Sequence, residues 1–354
     1  MAARATRPAS GAASSSGGSD QRSLAEPHEV RNAERTLIKL LELCRRSVLP
    51  TELLPALDNL QTALTEAPCS RCLLGALSHD ELGVIFDGLA SPLEPVVAVA
   101  FSSTCKGLRT PLQAAFEVLK ERHARVLALC RKIGTSCAAL RDAGELEWSG
   151  KGLTAEHMAA LWLLLPKWLP RLQTLVIGYN RAGDLGMCAM TEGLGYGDMS
   201  RLECLSIISN NFGLSGAEAL AAALSRGALH KLNRLNIGGN PIGNQGVSAL
   251  AAPLRKQPLR TLFLHRCQIS DEGVASLVAN IGKDDFKNLE RLCLAENQIT
   301  NKGCAMLSDA IKSGAMPSLE DVDLAQTDVS AAAREDVLTE IRRAKVRRAF
   351  PGNR

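Results

Sequence analysis

Cysteines and histidines are the first places to look for chemistry in this chain. Cys69-x-x-Cys72 is its one cysteine pair at metal-clip spacing. A zinc site of that kind needs a second pair, or histidines at matching distance, to complete four ligands. None follows, and the six histidines are isolated from one another in sequence. There is no Gly-x-Ser-x-Gly elbow, Walker loop, Gly-x-Gly-x-x-Gly turn or His-Glu-x-x-His helix. Gly193, Gly195 and Gly197 fall close together, but without phosphate-loop spacing. The reading is a non-enzymatic protein with no catalytic residue, no metal and no cofactor. The 11 cysteines are odd in number and scattered, which fits a reduced, intracellular chain better than a disulfide framework.

Binding chemistry carries a clearer pattern. Aromatic and arginine side chains dominate interface energetics, and here they recur within a fixed frame. Leu172-x-x-Leu175-x-Ile177-x-x-Asn180 returns as Leu202, Leu205, Ile207, Asn210 and again as Leu232, Leu235, Ile237, Asn240. Three more copies follow: Leu259, Leu262, Leu264, Cys267; Leu289, Leu292, Leu294, Asn297; and Leu319, Val322, Leu324, Thr327. The steps between first leucines are 30, 30, 27, 30 and 30 residues. A degenerate opening unit fits Leu146, Trp148, Lys151 and Leu153. After each Asn position come an apolar residue, a turn with Gly and a helical run, as in Ile242-Gly243-Asn244-Gln245-Gly246. Each unit therefore reads as strand, turn, helix.

One unit cannot bury its leucines alone, whereas a stack can. Alternating leucines face one side of the strand, and the intervening residues face the other. Parallel strands pack about 4.8 Å apart and helices about 8–10 Å apart, so the strand side should be concave. The first outward column reads Glu145, Thr174, Cys204, Arg234, Thr261, Arg291, Asp321. The second reads Glu147, Val176, Ser206, Asn236, Phe263, Cys293, Asp323. The third reads Ser149, Gly178, Ile208, Gly238, His265, Ala295, Ala325. The fourth reads Gly150, Tyr179, Ser209, Gly239, Arg266, Glu296, Gln326. Three zones emerge: an acidic edge at Glu145 and Glu147, an apolar patch at Val176, Tyr179 and Ile208, and a basic cluster around Phe263. The expected partner-contacting set is Tyr179, Arg234, Phe263, His265, Arg266 and Arg291.

Composition agrees with a packed array. Of 354 residues 46% are hydrophobic and 55 are leucine, while aromatics are only 3%. The formal charge is +4, but residues 342–354 alone carry six Lys/Arg and no acid. With residues 1–22 at a net +2, the middle of the chain is near −4. Nucleic-acid binding needs a basic face on the fold, so that class is disfavoured. No apolar run approaches the length of a membrane span.

The frame, its period and the helix in every unit resemble leucine-rich repeats of the ribonuclease-inhibitor type. That resemblance implies an α/β solenoid: a horseshoe with parallel strands inside, helices outside, and a protein partner on the concave face. Upstream, Leu77-Ser-His-Asp-Glu81-Leu82-Gly-Val-Ile85-Phe86-Asp-Gly-Leu89, followed by Cys105-Lys106-Gly-Leu108-Arg109, resembles an F-box. It departs at Ser78, where Pro is usual, and at Leu108, where an aromatic is common. The resemblance implies that Leu77, Leu82, Ile85, Phe86 and Leu89 dock on a cullin-ligase adaptor. The bland alternative is a helical cap over the first repeat. Two further readings stand beside the ligase receptor. One is a leucine-rich-repeat GTPase-activating protein, and the other a stoichiometric inhibitor or sensor scaffold.

The expected organisation follows. Residues 1–22 are a disordered tail. Residues 23–140 are all-α and contain the F-box-like segment 77–109. Residues 141–341 are the solenoid of about seven repeats. Residues 342–354 are a basic C-terminal tail. The location implied is cytoplasmic, or nuclear if that tail is an import signal.

Overall fold

The structure, a computed structural model, describes residues 112–349 except 193 and 283, together with 86, 90–93, 95, 98–99. Seven three-residue strands form one parallel sheet in strict chain order. They are β1 (Glu145–Glu147), β2 (Thr174–Val176), β3 (Cys204–Ser206), β4 (Arg234–Asn236), β5 (Thr261–Phe263), β6 (Arg291–Cys293) and β7 (Asp321–Asp323). Leu146, Leu175, Leu205, Leu235, Leu262, Leu292 and Val322 stand in register at the middle of successive strands. All are buried, while the residues on either side are mostly exposed or half-buried. This is an α/β leucine-rich-repeat solenoid, and the degenerate opening unit supplies its first strand.

A helix follows each strand: α3 (Ala155–Trp162) with the short α4 (Leu165–Trp168), α5 (Gly183–Thr191), α6 (Leu214–Ser225), α7 (Gly243–Arg255), α8 (Asp271–Val278), α9 (Asn301–Lys312) and α10 (Ala331–Ala349). Consecutive helices pack on one another, and their apolar faces close a continuous core with the strand leucines. Ahead of β1 lie α1 (Gln113–Ile133) and α2 (Cys137–Asp142). Val126, Leu129 and Leu140 from this pair join the core of Leu146, Trp148 and Leu153. They shield the apolar flank that the first repeat would otherwise expose. At the other end Val337 and Ile341 of α10 cover Leu324 and Val329. That helix runs on through Ala349, so residues 342–349 are its last turns, across the boundary expected at 341.

The Asn column is a buried polar ladder. The Asn240 side-chain amide donates to the carbonyls of Ile207, Ile237 and Gly238 at 3.0, 2.9 and 3.2 Å. Its Oδ1 accepts the Asn210 N–H at 2.8 Å and the Phe212 N–H at 3.4 Å. Asn297 does the same between its own repeat and the preceding one. Each rung thus pairs backbone groups of two repeats that neither strand nor helix satisfies. Cys267 stands in the column with weaker thiol contacts to the Ile237 and His265 carbonyls. Burial pushes that thiol up to about 12.

Four residues beyond the ladder runs a second polar column that the sequence reading did not single out. Asp184 accepts the N–H groups of Gly213 and Gly216, each at 2.8 Å. Asn244 accepts the Ser270 N–H and Asn301 the Ser330 N–H. Asp271 accepts from the Thr300 N–H, the Thr300 hydroxyl and the Gly303 N–H at 2.9, 2.6 and 2.9 Å. Partial burial raises the Asp271 carboxyl pKa, but the Thr300 and Gly303 hydrogen bonds outweigh it and hold the group below its usual range. One repeat therefore caps the helix N-terminus of the next, satisfying donors that have no partner inside that helix. The glycine at the receiving position is required by contact, since a Cβ on Gly303 would overlap the Asp271 carboxylate.

Candidate functional site

The strand register brings the four outward columns together as the sequence spacing predicts. On this surface Phe263 is half-buried near the centre of the sheet. The Arg234 guanidinium from the neighbouring strand lies 5.8 Å from the Phe263 ring centroid, in cation–π range. His265, two residues along, meets the same ring edge-on with centroids 6.4 Å apart. An aromatic flanked by an arginine and an imidazole is therefore assembled from two adjacent repeats.

The other expected cations have partners on the next strand. Arg266 is ion-paired with Glu296 in the fourth column. Arg291 is ion-paired with Asp321 in the first column at 3.2 Å. Both pairs are solvent-exposed and contribute little to stability, but they divide the predicted basic cluster. Glu296 and Asp321 stand within it, each bonded to an arginine. Arg234 is exposed and is held against a ring rather than an acid.

The third column has a logic the sequence reading did not extract. A Cβ on Gly238 would overlap the His265 imidazole, and one on Gly178 would overlap the Ile208 side chain. Each large residue therefore lies back over the glycine of the preceding repeat. The Gly–Ile and Gly–His alternation is the signal that could have revealed it. Burial is the largest influence on His265 and lowers its pKa; Glu296 opposes this and Arg266 reinforces it. The imidazole is thereby biased toward its neutral form, which suits edge-on packing against Phe263.

Tyr179 is 63% exposed at the apolar patch, and its N–H donates to the Ile208 carbonyl at 2.8 Å. The fourth column shares one backbone state. Gly150, Tyr179, Ser209, Gly239, Arg266, Glu296 and Gln326 all have φ between 52° and 68°. This left-handed conformation turns the chain out of each strand and into the Asn rung. It is uncommon for residues with a Cβ, so seven successive occurrences mark a demand of the fold.

Of the F-box-like positions, Phe86 is described and its side chain is fully buried. Leu77, Leu82, Ile85 and Leu89 lie outside the described residues. The basic run is largely engaged within the molecule. Arg342 pairs with Glu335, Arg343 with Glu340, and Lys345 reaches Glu320 at 4.0 Å. Arg347 donates to the Ile311 carbonyl at 3.5 Å. These contacts staple α10 to itself and to neighbouring repeats. Among the described residues no group of three His, Cys, Asp or Glu side chains could hold a metal ion. No described helix is long and apolar enough to cross a membrane.

A family model described as a leucine-rich repeat matches residues 228–251, 255–278 and 287–308. Those segments span β4 to α9 and include Arg234, Phe263, His265, Arg266 and Arg291. No curated protein matches the chain. Among solved structures, an internalin from Listeria monocytogenes is similar at 14% identity with a TM-score of 0.22, covering 61% of this chain and 92% of that one.

Proposed function

We propose that this protein is a binding scaffold that captures a protein partner on the concave strand face of its repeats. The observation that carries the reading is the Phe263 ring, set between Arg234 and His265 at the middle of an open sheet. Interface hot spots take this form: an aromatic anchor with arginine, ringed by groups that exclude water. Tyr179 at the apolar patch and the paired Arg266 and Arg291 form the margin of the contact. A helix after every strand supports the ribonuclease-inhibitor type of repeat. The mechanism is recognition, with no bond made or broken in the partner by the strand face.

Phe263→Ala combined with Arg234→Ala tests the reading. Full-length wild type and double variant are immobilised in parallel against a native cell extract, and affinity is measured for each protein recovered by wild type. Two hot spots of about 1–2 kcal/mol each correspond to a loss on the order of 100-fold. Unchanged affinity in a folded double variant would remove the concave face from the interface.

The ligase-receptor reading rests on the sequence of 77–109 alone. The burial of Phe86 and the packing of α1 and α2 on the first repeat support a helical cap in that region. Full-length protein assayed against a cullin-ligase adaptor separates the two. A cap gives no complex, whereas a stoichiometric complex lost in Leu82→Glu would establish the receptor.

A further inference from the structure

The last turn of α1 and the first residue of α2 bring two thiols together. Cys130 Sγ and Cys137 Sγ are 3.8 Å apart, across a turn of Gly134, Thr135 and Ser136. Gly134 takes the left-handed state at φ 80°, which reverses the chain tightly enough for the contact. Cys130 is buried and Cys137 is half-exposed. Both line a groove of about 490 Å³ whose walls include Leu93, Pro95, His123 and Leu127. One sulfur is therefore accessible to a small reagent, and the other waits behind it. Neither belongs to the strand face.

We propose that Cys130 and Cys137 form a redox-active dithiol that a hydroperoxide closes to an intramolecular disulfide. In the first step the Cys137 thiolate attacks one peroxide oxygen and breaks the O–O bond. Cys137 becomes a sulfenic acid, and hydroxide leaves and takes up a proton to become water. In the second step the Cys130 sulfur attacks the sulfenic sulfur. The S–S bond forms, the S–O bond breaks, and the departing hydroxide takes the Cys130 proton. Two thiols and one hydrogen peroxide give one disulfide and two waters, with the sulfurs oxidised by two electrons and the peroxide reduced by two.

The division of labour follows from placement. Burial, then the neighbouring Cys137, pushes the Cys130 thiol up to about 12, so it is a poor first nucleophile. As the resolving thiol it needs only proximity, and it already touches its target. Approach to S–S bonding distance, about 2.05 Å, requires the sulfurs to close by less than 2 Å, a displacement that side-chain rotation and the short turn can supply. The bond would tie α1 to α2, the two helices that cover the first repeat, and so make the cap responsive to oxidant.

The test uses full-length protein titrated with hydrogen peroxide, then alkylated, digested with trypsin without reduction, and analysed by mass spectrometry. Trypsin cuts after Arg131 and Lys132, so a Cys130–Cys137 bond joins two otherwise separate peptides, 126–131 and 133–141. The expected result is this linked pair, two hydrogens lighter than its parts, accumulating before other cysteines are consumed, with loss of both alkylated peptides. Reductant should restore them fully. A Cys130→Ser variant should instead trap sulfenic acid at Cys137 with dimedone. If both peptides stay fully alkylated while other cysteines oxidise, the proposal is overturned. It is equally overturned if the link forms only in urea, or if dimedone labels Cys130 in Cys137→Ser and leaves Cys137 unlabelled in Cys130→Ser.

Discussion

Two adjacent columns of the solenoid, one residue apart, obey opposite rules. The ladder column holds Asn180, Asn210, Asn240, Cys267, Asn297 and Thr327, and the four asparagines and Cys267 are buried. The column just before it holds Tyr179, Ser209, Gly239, Arg266, Glu296 and Gln326, every one with positive φ and none buried. In the first column chemistry is constrained because each side chain must pair several backbone groups at once. In the second only the backbone is constrained, and the side chain is free to become phenol, hydroxyl, guanidinium or carboxylate. The fourth column can therefore change its chemistry from repeat to repeat, because the architecture asks there only for a backbone conformation.

The largest effect should come from breaking the ladder. Asn240→Ala leaves the Asn210 N–H without its acceptor in the core and removes one donor from each of the Ile207, Ile237 and Gly238 carbonyls. A loss of about 3–4 kcal/mol is expected, read as a lower urea midpoint. A change under about 1 kcal/mol would mean that the rungs are dispensable.

The capping column comes next. Gly303→Ala pushes a methyl into the Asp271 carboxylate and displaces a cap that holds Thr300 and Gly303. A cost of about 2 kcal/mol is expected. Asp271→Ala should cost about 1 kcal/mol, because it removes the cap without adding a clash. The reverse order of the two would show that the close approach is not rigid.

The fourth column gives a smaller, two-sided test. Arg266→Gly relieves a left-handed conformation and loses an exposed ion pair, so stability should hold or rise by up to about 1 kcal/mol. Arg266→Val puts a β-branched side chain at the same φ and should cost about 1–2 kcal/mol. Equal stability in the two variants would mean that the conformation is not demanded.

The smallest effect concerns His265. Its folded pKa is depressed, so the unfolded chain binds the proton more readily and stability rises with pH through that region. The contribution should be present above the ordinary histidine value of about 6.5 and fade as pH falls below it. His265→Gln should remove this component from a denaturation series run between about pH 7.5 and 5.5. An unaltered pH dependence would detach the imidazole from its half-buried place beside Phe263.

Much of this was legible in the residues. The leucine frame placed all seven strands in register, because burying one apolar set and exposing the other is a local, period-two demand. The outward columns, the ladder and the strand–turn–helix order follow from that demand repeated about every 30 residues. Other features depend on what stands one repeat away. Arg266 and Arg291 read as free cations until Glu296 and Asp321 are seen beside them. The run from Arg342 to Arg348 reads as a tail until α10 carries its charges onto Glu335, Glu340 and Glu320. Cys130 and Cys137, seven residues apart, show no motif until Gly134 folds the turn that joins them. The sequence by itself determined the repeat, its register and which side chains face outward, since periodic burial decides those. The tertiary structure alone decided which outward groups neutralise, stack on or touch one another, since that depends on rotamers and backbone turns in neighbouring repeats.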